Sequence, residues 1–381
     1  MRRLSCLFAA LLLGSLLVAP PAYAQTPFSQ DNIDNIGDLR GALRAATSEY
    51  ADSYVQPLTN VFGAGMNGGL FRSADVGDSL IPGFPINAYL GLNVSAPLTS
   101  SLNKRFVPPQ QIAIEASAPS GAPQDVEAFI EFVPQGDMDV PTAAGDTEPP
   151  SADLDLVFRE GGANGPVATN PQTGEELRTT LGNPPQGLVR SDVPATPLPM
   201  PQLGVGSIAG TDVQLRYFPT SKISGYGQIG LFGLAVRHDL DQWIPAPLPL
   251  NIAVQGAYNQ FSLSSQDPTS GAASAGFQEV LDASGWAFNL HASKGVPLLP
   301  LQFYGGLQYE TFNVDYSYAF DVSQFAGGAD VDPVTVNLSQ DAVNSVRGIV
   351  GFTLTFAIVR FNVDYAISEN NVVTTGLGVR L

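Results

Sequence analysis

The sequence predicts an all-β protein: an antiparallel transmembrane β-barrel of about twelve strands (ten to fourteen allowed) with a short N-terminal helix. Three observations support this class. Segments of about ten residues alternate between apolar and polar side chains, an export signal opens the chain, and no later segment has the apolar length of a transmembrane helix. The chain has 381 residues, of which 44% are apolar and 14% are charged, and we expect one barrel unit rather than several domains.

Residues 1–24 are predicted to be a secretory signal peptide. A positively charged start is followed by an apolar run at 7–18 and by Ala-Tyr-Ala at 22–24, which is the usual order of such signals. The apolar run is too short for a membrane anchor, which needs about 20 residues. We therefore expect a protein of the bacterial outer membrane in a Gram-negative cell, cleaved near Ala24 and left without its single cysteine, Cys6.

Residues 25–75 are expected to form an N-terminal helical segment. Five residues at helical spacing form one apolar stripe: Leu39, Leu43, Ala46, Tyr50 and Tyr54. Pro57 is expected to end or kink this helix. Two interpretations stay open, a cap that covers apolar surface at the periplasmic mouth of the barrel and a plug in the lumen that gates a pore.

Residues 76–381 are expected to form the barrel. In 286–293, Trp286, Phe288 and Leu290 point to one face and the polar Asn289 and His291 to the other. Similar alternation predicts strands at 86–96, 359–367 and 373–381, with less regular strands near 125–133, 152–159, 203–218, 223–238, 250–263, 301–320 and 344–356. Aromatic residues at strand ends and an apolar last residue favour an outer-membrane barrel over a soluble sandwich.

Long acidic loops are expected around 134–200, where Pro, Gly, Asp and Thr are frequent. Carboxylates in such loops could bind calcium, but no EF-hand spacing is present, and solvated loop charge is the favoured interpretation. The formal charge of −18 argues against a nucleic-acid partner. Two histidines and one cysteine offer little for a transition-metal site, so no metal or cofactor is predicted.

Two glycine patterns of the form G-x-G-x-x-G begin at Gly63 and Gly225. Neither follows a strand and opens a helix, as a dinucleotide-binding fingerprint requires, so tight bends or close backbone approaches explain them better. His238 and His291 are the only candidate bases for a hydrolase. His291 lies on the polar face of its strand, whereas such a site needs an outward-accessible serine–histidine pair, and no G-x-S-x-G motif is present. The sequence therefore predicts no enzyme, and an outer-membrane lipid hydrolase stays an alternative.

Polar residues on the inward faces are the candidate lumen-lining residues: Asn289, His291, Arg347, Arg360, Asp364 and Arg380. If 369–371 form a turn, Arg360 lies opposite Arg380. Two like charges so placed repel each other, unless an acidic residue or an anionic solute lies between them. Neutralisation by acidic residues of other strands or of the N-terminal helix is the favoured explanation.

Four stretches resemble an uncharacterised, Bacteroidota-type family of outer-membrane proteins that is classed as a domain of unknown function. They are YVQPLTNVFGAGMNGGLFRSA (54–74), PMPQLGVGSIAGTDVQLRYFP (199–219), GQIGLFGLAVRHDLDQWIP (227–245) and the C-terminal 350–381. The resemblance implies an outer-membrane β-barrel and no particular substrate. The first stretch also resembles the N-terminal hatch of fatty-acid transport barrels.

The sequence thus predicts a channel or transporter for small or hydrophobic solutes, with porin-like character. A closed barrel with a structural or surface-binding role is the alternative. The expected partners are outer-membrane lipid, the barrel-assembly machinery during insertion and a small or hydrophobic solute.

Overall fold

The computed structural model describes most of the chain beyond the predicted signal peptide. The described residues are 36–76, 87–98, 104–114, 122–136, 139–145, 152–182, 195–223, 227–245, 248–264, 278–320 and 334–380. The signal peptide and the acidic stretch at 327–332 lie outside them.

The main sheet is a closed antiparallel barrel of ten strands. In order around the barrel these are β12 (Gln278–Gly295), β11 (Asn251–Ser264), β10 (Gly227–Asp239), β9 (Thr211–Ile223), β8 (Leu198–Ile208), β1 (Asn87–Pro97), β17 (Val372–Arg380), β16 (Val359–Ile367), β15 (Val346–Phe356) and β13 (Leu301–Phe320). Pairing of β12 with β13 closes the ring. Closure removes the unpaired sheet edges that would otherwise face lipid.

An additional strand, β14 (Val334–Asp341), extends one wall of the barrel. It pairs with residues 313–320 of β13, while β15 pairs with residues 301–309 of β13. Between the pairs Tyr309↔Val346 and Asn313↔Asp341, the β14–β15 side has one residue more than β13. This is a one-residue β-bulge, so β14 and β15 follow one strand path.

Side chains along each barrel strand alternate between the lumen and the outer surface. On β12, the exposed fractions of Trp286 and Phe288 are 52% and 53%, whereas those of Ala287 and Asn289 are 0% and 4%. Large apolar residues therefore face outward and polar residues inward, the reverse of a soluble sandwich. The predicted fold class is confirmed, and ten strands lie within the predicted range.

Two of the predicted strands are not barrel strands. Those near 125–133 and 152–159 correspond to β4 (Val126–Pro134) and β6 (Ala152–Glu160). They form a separate four-stranded sheet with β3 (Gln111–Ile114) and β7 (Arg178–Gly182). Alternation alone could not separate them from barrel strands, because a half-buried sheet has the same period. A two-stranded ribbon, β2 (Arg105–Phe106) with β5 (Val140–Pro141), lies in the same insertion.

Helix α1 (Ile36–Met66) connects this insertion to the barrel. It runs past Pro57, so of the two expected effects of this proline, an end of the helix is wrong and a kink stays a prediction. Its buried residues share one apolar core with the insertion sheet and with one end of the barrel. None of the helices in the described part of the chain combines the length and apolarity needed to cross a bilayer.

The two ends of the barrel differ in their connections. The connections 98–197, 265–277 and 321–333 leave from the end at which α1 packs, which we name the loop end. At the other end, the turn end, strands are joined by the connections 209–210, 240–250, 296–300 and 357–358, of which 240–250 is the longest. The insertion sheet and the part of α1 that packs on it, from Tyr50 to Leu58, are named the cap.

Candidate functional site in the barrel lumen

The last turn of α1 and the residues that follow it pass through the barrel lumen. We name Ala64–Val76 the lumen segment; its residues are buried apart from the half-buried Asp75. It starts beside the wall at Leu198, the first residue of β8, and its last residue accepts a hydrogen bond from Asn87 at the start of β1. Because Leu198 is at the loop end and Asn87 at the turn end, the segment runs the length of the lumen.

Two arginines of the barrel wall bind the C-terminal end of α1. Arg216 donates from Nη1 to the carbonyl oxygen of Met66 over 2.8 Å and from Nη2 to that of Gly68 over 2.7 Å. Arg347 donates from Nη1 to the carbonyl oxygen of Ala64 over 3.0 Å. The last turn of α1 has no basic residue of its own. The wall therefore supplies the cations that a helix C-terminus, with its partial negative charge and free carbonyls, favours.

Further polar side chains of the wall bond the rest of the lumen segment. Gln308 donates to the carbonyl of Asn67 (3.2 Å), Asn93 to that of Gly69 (3.1 Å), Thr353 to that of Arg72 (2.8 Å) and Arg237 to that of Ser73, while Ser293 accepts from the amide of Ala74 (3.0 Å). These partners come from β1, β10, β12, β13 and β15. Burial of an irregular backbone in this way is made possible by the wall, which supplies hydrogen-bond donors to several of its carbonyl groups.

Two apolar side chains of the segment fit into complementary parts of the wall. Leu70 packs in a cluster with three alanines, Ala235, Ala257 and Ala287, on adjacent strands. Phe71 packs against the rings of His291 and Tyr304, with centroid distances of 4.1 Å and 5.5 Å. A Cβ atom at Gly306 would lie 2.6 Å from the Phe71 ring. Small residues on the wall thus make room for large residues of the segment.

Paired charges lie beside the lumen segment. Arg237 is bonded to Asp212, and Arg347 to Glu310, which also accepts a hydrogen bond from Gln308 over 2.5 Å. All of these side chains are buried. Removing one partner of such a pair leaves an uncompensated buried charge, which is strongly destabilising.

The six candidate lumen-lining residues lie on the inner face of the barrel. Five of them, Asn289, His291, Arg347, Arg360 and Asp364, are buried, and Arg380 is half-buried at the turn end of β17. Asn289 bonds Gln255 over 3.0 Å, and Asp364 accepts from the Tyr304 hydroxyl over 2.9 Å. That a solute passes these residues stays a prediction.

The expected opposition of Arg360 and Arg380 is wrong in register. Arg360 of β16 lies opposite Gly378 of β17, and Arg380 of β17 is paired with Tyr89 on its other neighbour, β1. The reason is a longer connection at 368–371 than the predicted turn. Gly378 leaves space for the Tyr89 ring, on which the Arg72 guanidinium stacks at 3.9 Å.

The candidate plug-helix residues all lie in α1. The side chains of Leu39, Leu43 and Ala46 are outside the described part. Tyr50 stacks on Phe132 at 5.4 Å and contacts Phe106 at 5.1 Å, so it lies in the cap. Tyr54 stacks on Tyr50. The sequence left two interpretations of this helix open, a cap and a plug in the lumen. The positions of Tyr50 and Tyr54 agree with a cap, and the residues that lie in the lumen come later in the chain.

The first glycine pattern lies where α1 enters the lumen. A Cβ atom at Gly65 would lie 2.2 Å from Leu198 Cδ1, and one at Gly68 would lie 3.2 Å from the Ser95 Cβ. Gly69 has a positive φ of 65°, which turns the chain out of the helix. These glycines therefore serve close packing against the wall.

The two histidines contact neighbouring side chains of the barrel and the lumen segment. His238 bonds Thr211 Oγ1 over 2.9 Å and accepts from the Trp243 indole over 3.0 Å at the turn end. His291 is covered by Phe71 and has no hydrogen-bond partner among the described residues. Within the same described ranges, no group of three or more His, Cys, Asp or Glu side chains could hold a metal ion.

A small apolar cavity of about 20 Å³ lies between α1 and the wall near the loop end. Its lining is apolar throughout: Phe62, Met66, Leu198, Pro199, Met200, Pro201, Phe218, Ile229, Leu231 and Phe261. Ten lining residues without a polar side chain define a site that favours an apolar group over an ion or a sugar.

Several lumen residues escaped the sequence analysis. Arg216 and Arg237 bind the lumen segment, as do Asn93 and Gln308. The signal was present on β9, where the buried Asp212, Gln214 and Arg216 alternate with Val213, Leu215 and Tyr217. The apolar cavity had no comparable signal, because its residues come from five separate elements.

Comparison with solved structures finds outer-membrane proteins at low similarity. Ail of Yersinia pestis has 13% identity over 45% of this chain and 94% of that protein, with a TM-score of 0.23. The NalP translocator domain of Neisseria meningitidis has 9% identity over 78% of this chain and 88% of that domain, with a TM-score of 0.27. The channel DcaP of Acinetobacter baumannii has 9% identity over 78% of this chain and 96% of that channel, with a TM-score of 0.17.

No curated protein matches the chain. The Bacteroidota origin and the likeness to fatty-acid transport barrels stay predictions. A family model matches residues 1–381, the whole length of the chain. The chain therefore belongs to that family, a family of unknown function (DUF6588).

Proposed function

We propose that this protein is an outer-membrane barrel, closed to water by its own lumen segment, that binds small hydrophobic solutes and transfers them across the membrane. The observation that carries the proposal is the pairing of a filled polar lumen with an apolar cavity beside α1. An ion would have to displace hydrogen-bonded backbone, whereas an apolar group has a site lined by apolar side chains.

The outward belt of apolar residues supports a position in the membrane. Exposed apolar side chains occur on all ten barrel strands, for example Leu290 on β12, Leu307 on β13 and Val350 on β15. Strands of 9 to 20 residues meet the length of about 9–11 residues that a tilted strand needs. Export through a cleaved signal and insertion by the barrel-assembly machinery belong to the same proposal.

The asymmetry of the connections supports an orientation. Outer-membrane barrels have short periplasmic turns and longer loops outside, so the loop end faces the cell exterior. The cap, with the part of α1 from Tyr50 to Leu58, then lies on the cell surface. This favours a surface position of the helix over the periplasmic one that the sequence left open.

The test uses the refolded chain without residues 1–24 in lipid vesicles and in planar bilayers. We expect faster transfer of a fluorescent long-chain fatty acid into vesicles than without protein, together with no steady ion current. The matched control is Gly68→Cys/Ser95→Cys, because a Cβ atom at Gly68 would lie 3.2 Å from the Ser95 Cβ, close to the usual disulfide spacing. Oxidation fixes the lumen segment to β1, and reduction frees it.

The outcomes separate the candidate functions. Steady ion current without fatty-acid transfer would make the protein an aqueous channel and overturn the proposal. Transfer that persists in the oxidised control means that the solute moves past a fixed segment, and transfer that requires reduction means that the segment moves.

A closed barrel with a surface-binding role is the second candidate. It is favoured by one observation: the insertion between β1 and β8 folds into a four-stranded sheet, which shares a buried core with α1 and one end of the barrel, instead of open loops. This candidate predicts neither current nor transfer, and it predicts that the cap binds an external partner.

A further inference from the structure

Four arginines lie together inside the turn end of the barrel. Arg360 is the second residue of β16 and Arg380 the last residue of β17, and both are on the inner faces of their strands. Arg237 is on the inner face of β10, and Arg72 belongs to the lumen segment. Arg360 interacts electrostatically with the other three. Because like charges repel each other more strongly inside a protein than in water, this cluster needs negative charge close to it.

The side chain of Arg72 spans the inner face of the wall from β15 to β1. Its carbonyl oxygen accepts a hydrogen bond from Thr353 of β15 over 2.8 Å, and its guanidinium carbon is 3.9 Å from the ring centroid of Tyr89 on β1. β16 and β17 lie between these two strands. The Tyr89 ring lies against Gly378, the residue opposite Arg360. Arg72 and Arg360 therefore face the same part of the lumen.

The guanidinium groups of these two arginines are buried without partners. The exposed fraction of Arg72 is 4%, and that of Arg360 is 8%. Nε and Nη1 of Arg72 and Nε of Arg360 have no hydrogen-bond acceptor among the described residues. Asp212, a carboxylate at the same end of the lumen, is bound to Arg237 instead. A buried charge without a counter-charge is unfavourable, so Arg72 and Arg360 require an anion.

The nearby carboxylate of Asp75 does not meet this requirement. It attracts Arg360, but the two form no ion pair in the described part of the chain. It is half-buried, and it also interacts with the carboxylate of Asp239 at the end of β10. One carboxylate that is shared in this way faces two buried guanidinium groups without partners. Positive charge is therefore in excess between Arg72 and Arg360.

The arginine cluster is accessible from the turn end. Arg380 and Asp75 are half-buried there, whereas Asn362, two residues from Arg360 toward the loop end, is fully buried. The lumen segment fills the lumen on the loop side. A small solute therefore reaches Arg360 from the turn end without crossing the barrel.

The donor geometry of the two arginines selects the kind of anion. Each guanidinium presents a planar fork of N–H donors, which matches two oxygen atoms of a carboxylate or phosphate group. The two forks belong to different elements, the lumen segment and β16, so one oxyanion can accept from both. A halide ion has no pair of oxygen atoms for such a fork.

We propose that Arg72 and Arg360 bind one small oxyanion, a phosphate or a carboxylate group, at the turn end of the lumen. The bound anion joins the lumen segment to β16. The segment is then held at both ends, by Arg216 and Arg347 beside α1 and by the anion at the turn end. This site does not depend on the transfer of hydrophobic solutes.

The test measures the binding of inorganic phosphate to the refolded chain without residues 1–24 in a non-ionic detergent, with chloride keeping the ionic strength constant. Equilibrium dialysis with radiolabelled phosphate gives the stoichiometry. Urea unfolding gives the stabilisation that a ligand of the folded state produces. We expect one phosphate per chain and a stability that rises with phosphate concentration. A second arm uses acetate: binding of phosphate alone identifies a phosphate site, and binding of both identifies a general oxyanion site.

Substitutions separate this site from general effects of phosphate on folded proteins. Arg360→Met and Arg72→Met should each weaken phosphate binding by about tenfold or more, because each removes charged hydrogen-bond donors. The matched control is Arg105→Met, which removes the same charge from the cap, where Arg105 is paired with Asp139; it should leave binding unchanged. Without phosphate, Arg360→Met should be at least as stable as the wild type, because an unpaired buried charge is removed.

Three results would overturn the site. The first is a wild-type chain that binds neither phosphate nor acetate. The second is binding that survives Arg360→Met and Arg72→Met, or that chloride displaces as well as phosphate does, which would indicate an adventitious ion only. The third is a loss of stability in Arg360→Met without phosphate, which would show that the chain itself neutralises this arginine. None of these measurements involves fatty-acid transfer, so the site and the proposed function fail separately.

Discussion

At the scale of single residues, the lumen is organised around side chains that bind backbone. Arg216 is fully buried, and its two terminal nitrogens reach the carbonyls of Met66 and Gly68. Such an arginine fixes the position of a segment that has no regular structure beyond Met66. Its planar fork of donors suits two neighbouring carbonyls better than a lysine ammonium does.

The first prediction concerns Arg216. Arg216→Met removes two hydrogen bonds from a charged donor, each of which contributes about 1.5–3 kcal/mol, so we expect the lumen segment to detach before the barrel unfolds. Hydrogen exchange of the amides of residues 64–76 measures this as lost protection. Arg216→Lys keeps the charge and should restore only part of it. Unchanged protection in Arg216→Met would show that the arginine does not hold the segment.

The second prediction concerns Tyr50 in the cap. Its hydroxyl is buried without a hydrogen-bond partner among the described residues, and burial raises the pKa of the phenol. The unfolded chain loses this proton near pH 10, whereas the folded cap retains it. Stability of the cap is therefore fully present below about pH 10 and decreases as the pH rises further.

Urea unfolding of the chain at pH 8 and pH 11 tests this linkage. Tyr50→Phe should match or exceed the wild type at pH 8, because an unpaired buried hydroxyl is removed, and should lose less stability at pH 11. Tyr50→Ala, which empties the aromatic stack, should cost about 3–5 kcal/mol at both pH values. If the wild type and Tyr50→Phe lost equal stability between pH 8 and pH 11, the loss would come from other tyrosines.

At the scale of elements, the fit of α1 into the barrel depends on missing side chains. Gly63 and Gly65 lie on the last turns of the helix, where added Cβ atoms would approach Ala342 to 2.6 Å and Leu198 to 2.2 Å. Glycine inside a helix normally costs about 1 kcal/mol relative to alanine. Here that cost is offset by close contact between the helix and the wall.

The third prediction follows from this contact. Gly65→Ala would stabilise a free helix by about 1 kcal/mol, but here it should destabilise the protein, because overpacking costs about 1–3 kcal/mol. Urea unfolding of the barrel measures the sign. Leu198→Ala in the same chain removes the atom that the new methyl group meets, so the double variant should lose less stability than the sum of the two single losses. If Gly65→Ala stabilised the protein, the close contact between the helix and the wall would be contradicted.

Strand alternation could be predicted from the sequence, and the location of the cap sheet could not. The period of two along 286–293 is enough to place Trp286 and Phe288 outward, because lipid and lumen select opposite side chains. The strands β4 and β6 have the same apolar content but bury it against α1. Their assignment depends on contacts between distant parts of the chain, which no local pattern contains.

At the scale of the whole molecule, a segment of the chain itself occupies the lumen of the barrel. The contact of Arg216 with Met66 joins residues 150 positions apart, and that of Arg347 with Ala64 joins residues 283 apart. Inward polar residues could be predicted from strand phase, as Asn289 and Arg347 were. That they bind a chain segment instead of water or solute follows only from the fold, since both uses require the same polar inner face.

The central claim is that residues 64–76 close the lumen, and planar-bilayer conductance tests it most directly. We would compare the chain without residues 1–24, the chain without residues 1–62, and the chain without residues 1–76, each checked for folding by heat-modifiable gel mobility. The first two should show no steady current, because both retain the lumen segment, and the third should conduct. Steady current through the first chain, or a sealed barrel in the third, would contradict the account.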